Sequence, residues 1–367
     1  MSRANRLLLI AAGVIAFLVV TQLVLIKVES VTYFENGETL QLEDKVAVTM
    51  TKKKLPVYEE MKVFPVVLMH GMGDAARNGG MIRIQKTIAE HLGVYVANVQ
   101  LGNSVNEDVE NSFFVTMDNQ TKMFAKIVRE DAQLTHGFNA VGFSQGNLLI
   151  RAYIERFNDP PVYNFISFHG PLAGVGGLPR CSPLNFICKE IDKLIGEAVY
   201  TKRVQGKHNA TSLRACPQVL IFAGCLEHLA QANYYRDPLR IEDYLEHAQF
   251  LPDLNNEKIL INQTYKDNFS KLQNLVLVRA NQDTQVFPKE SEWFGMYEDG
   301  DPHMNVLGFN ETRWYQEDLF GLKTLNEAGK VHFVSTNGDH LRFSMEFLLG
   351  VVDKYLLPTK YGSNHFT

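Results

Sequence analysis

The sequence predicts an α/β fold: a mostly parallel central sheet with helices on both faces and an inserted cap. Three observations carry this. Nearly unbroken apolar runs recur at Val63 to Met69, Phe138 to Phe143, Val162 to Phe168, Leu275 to Ala280 and Val331 to Ser335, the pattern of strands buried on both faces. Stretches of helical spacing separate them, and such alternation points to parallel strands joined by crossover helices. Between Leu172 and about Ser270 the alternation breaks into a segment that holds all four cysteines and five prolines. That composition reads as an irregular cap.

The elements follow in order. The first strand, VFPVVLM, ends at the loop His70-Gly71-Met72-Gly73-Asp74, after which Met81, Ile84, Ile88 and His91 fall on one helical face. Val94 to Leu101 is a second strand, and Met123, Ile127 and Val128 mark a helix over Asp118 to Leu134. The strand from Phe138 runs into Gly142-Phe143-Ser144-Gln145-Gly146, and Leu148, Leu149, Ala152 and Tyr153 open a helix at once. Val162 to Phe168 closes on His169-Gly170-Pro171, and Leu341 to Leu357 ends the fold as a helix. The core is thus expected over 63–171 and 271–358, the cap over 172–270, a linker over 31–62 and a tail over 359–367.

Residues 1–30 read as a targeting segment. Arg3 and Arg6 precede the apolar run Leu7 to Ile26, and twenty residues at helical rise span about 30 Å, enough for a bilayer core. The segment is a signal anchor or a signal peptide, and the arginines keep the N-terminus cytosolic. The rest would lie in the secretory-pathway lumen, the lysosome or the exterior, held as a type II membrane protein if the segment stays. Sequons at Asn119, Asn209, Asn262, Asn268 and Asn310 permit glycosylation there. The even number and close spacing of Cys181, Cys188, Cys216 and Cys225 suit two short-loop disulfides; four buried thiols are the alternative. No cysteine or histidine cluster has zinc spacing, so no metal and no cofactor is expected. A net charge of −5 without long basic runs argues against nucleic acid as a partner.

The chemistry centres on Gly142-Phe143-Ser144-Gln145-Gly146. G-x-S-x-G between a strand and a helix is a nucleophile elbow, a turn sharp enough to lift a serine clear of the sheet where a histidine can take its proton. Such a sheet then requires an acid and a histidine on loops after later strands, in that chain order. Asp283 follows the strand Leu275 to Ala280, and His340 follows Val331 to Ser335. Asp339 adjoins His340 but ranks below Asp283, because neighbouring side chains on an extended loop diverge. The backbone N–H groups of Gln145 and Met72 are the candidate oxyanion donors. His70 and His169 read as loop-anchoring histidines, since one base suffices.

The set His70-Gly71-Met72-Gly73-Asp74, Gly142 to Gly146, Gly177-Leu178-Pro179-Arg180-Cys181, Ser291-Glu292-Trp293-Phe294-Gly295 and Gly338-Asp339-His340-Leu341 resembles the palmitoyl-protein thioesterase family, from about Val63 to Tyr355. The resemblance implies an α/β-hydrolase that removes long-chain acyl groups from S-acylated cysteines of proteins or peptides, commonly in lysosomes. By motif position it puts the triad on Ser144, Asp283 and His340 and the oxyanion donors on Met72 and Gln145, the residues already chosen by spacing. Cys181 and Cys188 match the family's short loop. Ala75-Ala76-Arg77 and the surroundings of Ala125 and Phe157 lack cysteines that animal members carry, which suggests a lost disulfide. Residues 206–226 look like an extra insertion, either a real elaboration of the cap or a translated intron.

A long acyl chain needs an apolar groove, for which Leu172, Val175, Leu178, Phe186, Ile187, Ile191, Leu194 and Ile195 are candidates; each reads first as cap core, since apolar residues at helical spacing pack by default, and second as an acyl contact. A histidine base is largely protonated in an acidic lumen, so activity is expected to rise from about pH 5 towards about 7. The competing readings are a neutral lipid or carboxylic esterase on the same fold and a non-catalytic luminal binding protein.

Overall fold

The computed structural model describes residues 63–177, 198–206 and 228–357. They belong to the compact unit Glu60–Thr367. The targeting segment, the linker, all four cysteines, Asn209, most of the extra insertion and the tail lie outside the described residues.

Six strands form one parallel sheet. These are β1 (Val66–Met69), β2 (Val96–Asn98), β3 (Phe138–Phe143), β4 (Val162–Phe168), β5 (Asn274–Ala280) and β8 (Val331–Thr336), in the order β2-β1-β3-β4-β5-β8. In β1, β3, β4 and β5 the apolar runs have the cause inferred for them; β8 departs from it, because it is an edge strand whose Phe333 and Ser335 are exposed. Alternate residues of each strand face opposite sides, and both sides are covered. Val67, Met69, Ala140, Phe165 and Leu277 pack beneath α3 (Met117–Glu130) and α4 (Gly146–Arg156). Val66, Leu68, Val141, Ile166 and Val278 pack beneath α1 (Gly79–Leu92) and α10 (Met345–Leu356). Each of these side chains is almost wholly removed from water, worth about 1.5–3 kcal/mol apiece, Ala140 excepted, before entropy is counted. A two-stranded ribbon of β6 (Met296–Tyr297) and β7 (Val306–Leu307) stands apart from the sheet.

Two helices differ from the expectation, each for a local reason. The last one begins at Met345 rather than Leu341, because the Ser344 side chain accepts from Phe347 N and Leu341 holds a positive φ of 53°. Helix α2 (Val105–Phe114) was not anticipated: its fully buried side chains are the polar Asp108 and Ser112, while Val105, Val109 and Phe113 are only half-buried.

The described part of the expected cap does not form a separate lobe. Helices α5 (Ile241–His247), α6 (Leu251–Leu254) and α7 (Gln263–Phe269) place Tyr244, Phe250, Leu251, Leu254 and Phe269 in the same apolar cluster as the sheet. Arg151 of α4 ties them in. It is fully buried, donates to Glu155, Leu172 O, Asn255 and Leu254 O, and lies against the rings of Phe294 and Phe320. After β7 the short helices α8 (Arg313–Gln316) and α9 (Leu322–Glu327) return the chain to β8.

Candidate active site

Ser144 stands at the end of β3 with φ 51°, a left-handed conformation costly for a residue with a side chain. The turn is held from outside: Ser144 N donates to Phe168 O at 3.0 Å, and Asn147 Nδ2 donates to the carbonyls of Ser144 and Phe168, each at 3.0 Å. A Cβ at Gly142 would collide with Asn147, and one at Gly146 with the carbonyls of Met69 and His70. Both elbow glycines are therefore required by close approach.

The loops after β5 and β8 bring the other two residues to the serine. His340 Nε2 lies 2.9 Å from Ser144 Oγ, and His340 Nδ1 lies 2.5 Å from Asp283 Oδ2. The Asp283 side chain is closed to solvent, whereas that of His340 retains slight exposure. Asp283 Oδ1 accepts from Gln285 N and Val286 N, both at 2.7 Å. Burial alone would raise the carboxyl's pKa, but the His340 hydrogen bond and charge outweigh it and carry the pKa down to about 2. Asp339 faces elsewhere: its oxygens accept from Thr284 N and Oγ1 and from His340 N.

The loop after β1 runs beside the nucleophile. A Cβ on Gly71 would come within 2.8 Å of Ser144 Cβ and 3.5 Å of its Oγ, so only glycine lets this backbone approach. The N–H groups of Met72 and Gln145 meet no acceptor among the described residues, which leaves both free for an oxyanion. His70 anchors the loop, with Nε2 3.1 Å from Asp108 Oδ1. The Gln145 side chain is fixed as well: it donates to Ser112 O, and its Oε1 accepts from Gln231 Nε2 and Tyr234 OH, both at 2.9 Å. Spacing gave no sign of Asp108, Gln231 or Tyr234.

His169, at the end of β4, is fully buried; its Nδ1 accepts from Leu341 N at 2.8 Å, so Nε2 carries the proton toward Thr336 Oγ1 at 3.1 Å. Burial and then the neighbouring His340 charge push its pKa down to about 4. His169, Asp283 and His340 each bring a ligand-type atom within 4.8 Å of the others. Those atoms are already engaged in the bonds just described, an arrangement suited to proton transfer.

The remaining expectations divide. Asn119, Asn262 and Asn310 are exposed. Asn268 does not fit a glycosylation site, because its side chain is buried, with Nδ2 donating to Glu155 O and Oδ1 accepting from Lys271. Leu172 is fully buried in the core rather than lining a groove, Val175 is half-buried, and the other acyl-groove candidates lie outside the described residues. Ala125 and Phe157 line one hollow of about 280 Å³, so the two positions are near neighbours.

A parallel sheet carrying a serine elbow, with histidine and aspartate on two later loops, defines the α/β-hydrolase class. The family model described as palmitoyl protein thioesterase matches residues 65–340. The chain belongs to this family. It is 38% identical over 299 residues to palmitoyl-protein thioesterase 1 of Caenorhabditis elegans, covering 81% of this chain and 93% of that one. It is also 38% identical to palmitoyl-protein thioesterase 3 of Dictyostelium discoideum, covering 75% and 84%. Lysosomal thioesterase PPT2-B of Xenopus laevis is 27% identical, covering 75% and 85%.

Proposed function

We propose that this chain hydrolyses the thioester linking a long-chain fatty acyl group to a protein or peptide cysteine. The observation that carries the reading is the unbroken relay of Ser144 Oγ, His340 and Asp283, at 2.9 and 2.5 Å, in a chain of this family.

Ser144 Oγ attacks the thioester carbonyl while His340 Nε2 takes its proton. Asp283 holds the Nδ1 proton and stabilises the imidazolium. The oxyanion is received by the N–H groups of Met72 and Gln145. The C–S bond then breaks, and the cysteine sulfur leaves with the proton from His340. Water, deprotonated by the same nitrogen, attacks the acyl-serine; the fatty acid departs and Ser144 regains its proton. With its pKa near 2, Asp283 stays ionised through the acid range. No metal or cofactor enters these steps.

A lysosomal setting is supported by relatives that carry that word in their names. Among the described residues Asn119, Asn262 and Asn310 are the exposed sequons, compatible with glycans there. Among the described residues no helix is long and apolar enough to cross a membrane, and the expected anchor lies outside them.

The test is hydrolysis of an S-palmitoylated peptide and its oxygen-ester analogue by residues 27–367, beside Ser144→Ala. Thioester cleavage that falls about 10⁴-fold or more in the variant is the expected result. Preference for the oxygen ester would move the reading to a lipid or carboxylic esterase. Absence of serine-dependent cleavage of either ester would leave a binding protein on this fold.

A further inference from the structure

Glu292 lies on a 3-10 turn, Lys289–Trp293, and is completely buried. Its Oε2 accepts from Ala280 N at 2.7 Å, the last residue of β5, on the turn that delivers Asp283. Its other oxygen, Oε1, is buried and takes no N–H or O–H donor. No cation among the described residues forms an ion pair with it: Arg279, whose charge acts on Glu292 less than burial and Asp283 do, has its guanidinium 3.8 Å over the Trp293 ring and 3.8 Å from Glu290. The side chain its carboxyl meets within hydrogen-bond reach is the carboxyl of Asp283.

Two ionised carboxylates facing each other in a closed site repel strongly, and one proton relieves the conflict. The donors decide where it sits. Asp283 receives two backbone N–H groups and the His340 ring, whereas Glu292 receives one N–H. An ionised Glu292 would thus be the worse-solvated of the two.

We infer that Glu292 is a neutral carboxylic acid whose O–H donates a hydrogen bond to the Asp283 carboxylate, and so acts as the positioning residue behind the His340–Asp283 pair. The inference rests on the Ser144, His340 and Asp283 reading above. Burial first, then the charge and hydrogen bond of Asp283, push the Glu292 pKa up to about 11, in keeping with this state. The acid hydrogen fixes the Asp283 carboxylate without adding charge near His340. The charged and titratable groups around it are Asp283 and Arg279 on Glu292 itself, and His340, Asp339 and neutral His169 around Asp283.

The experiment is the pH profile of kcat/KM, with kcat and KM separated, for wild type, Glu292→Gln, Glu292→Ala and Ser144→Ala. The amide of Gln can donate to Asp283 and accept from Ala280 with no change of charge. Glu292→Gln is expected to stay within about threefold of wild type with its acidic limb unmoved. Glu292→Ala is expected to lose about tenfold or more in kcat, a share of the general-base contribution. A limb displaced to lower pH by about one unit in Glu292→Gln would show that a charge had been removed and overturn the neutral state. Wild-type kcat in Glu292→Ala would overturn the positioning role. Should the Ala variant not fold, the Gln limb decides alone. Activity that survives in Ser144→Ala would instead sink the triad reading itself.

Discussion

His70 Nε2 and Asp108 Oδ1 lie 3.1 Å apart with both side chains closed to solvent. Asp108 also accepts from Leu101 N at 2.7 Å and from Ala76 N at 2.9 Å. One carboxylate therefore joins α2, the segment that follows β2 and the loop that carries Met72. Asp108→Ala removes every one of those bonds and leaves His70 without its partner. The expected outcome is a loss of about 3 kcal/mol in denaturant-measured stability. A fall in kcat of about 10²-fold should accompany it, from a displaced oxyanion donor. A variant that loses stability but keeps wild-type kcat would separate Asp108 from the Met72 donor.

Gly71 and Gly146 are tight for different reasons, and their alanine variants should fail differently. A methyl on Gly71 strikes the Ser144 side chain, whereas one on Gly146 strikes the backbone of the first strand. Gly71→Ala is expected to depress kcat about 10²-fold with little change in Tm. Gly146→Ala must push two chain segments apart and should cost about 1–3 kcal/mol of stability. Equal thermal losses in both variants would contradict this division.

The pattern of residues revealed some of this and hid the rest. Strands buried on both faces must be apolar throughout, so β1, β3, β4 and β5 were legible, and with them the loops on which Ser144 and Asp283 sit; the His340 loop follows β8, a partly exposed edge strand. Asp108, Gln231 and Glu292 were invisible in those terms, because their partners, Leu101 N, Gln145 Oε1 and Ala280 N, are set by the tertiary fold. Polar residues that satisfy buried groups look like surface residues in a sequence. Asn268 failed in the opposite direction: its sequon is sound, but the fold spends its amide on Glu155 O.

His169 gives folding a predictable acid dependence. Its folded pKa of about 4 is depressed below the unfolded value of about 6.5. The unfolded chain therefore binds the proton first, and stability from this group falls as pH drops from about 6.5 to about 4, by about 3 kcal/mol in all. His70 has the opposite sign. Burial lowers its pKa, but Asp108, Gly71 O and Asp74 together leave it raised, so its contribution is present at low pH and lost as pH rises through the folded value. Unfolding free energies measured across this window for wild type and His169→Gln should show a flatter acid slope in the variant. Parallel slopes would assign the acid dependence to other groups.

The insertion expected over residues 206–226 can be tested for necessity by removing 207–227, whose flanks Gly206 and His228 are both described. Leu229 N donates to Val204 O at 3.1 Å, and His228 Cβ lies 3.6 Å from where a Cβ on Gly206 would stand. The two ends thus meet before and after the intervening residues. Both are pinned. Gln205 donates to Val199 O and Ala232 O, and Asn233 donates back to Gln205 at 3.1 Å. Beyond them Gln231 and Tyr234 hold the Gln145 side chain beside the nucleophile. A chain joined directly from Gly206 to His228 keeps every one of these bonds and closes a shorter loop, which favours folding by about 1–2 kcal/mol. The deletion is expected to fold with an unchanged or higher Tm and to retain serine-dependent thioester hydrolysis within about threefold. A deleted chain that folds but has lost activity would mean that 207–227 supplies part of the site. One that does not fold would make the segment an essential part of the domain.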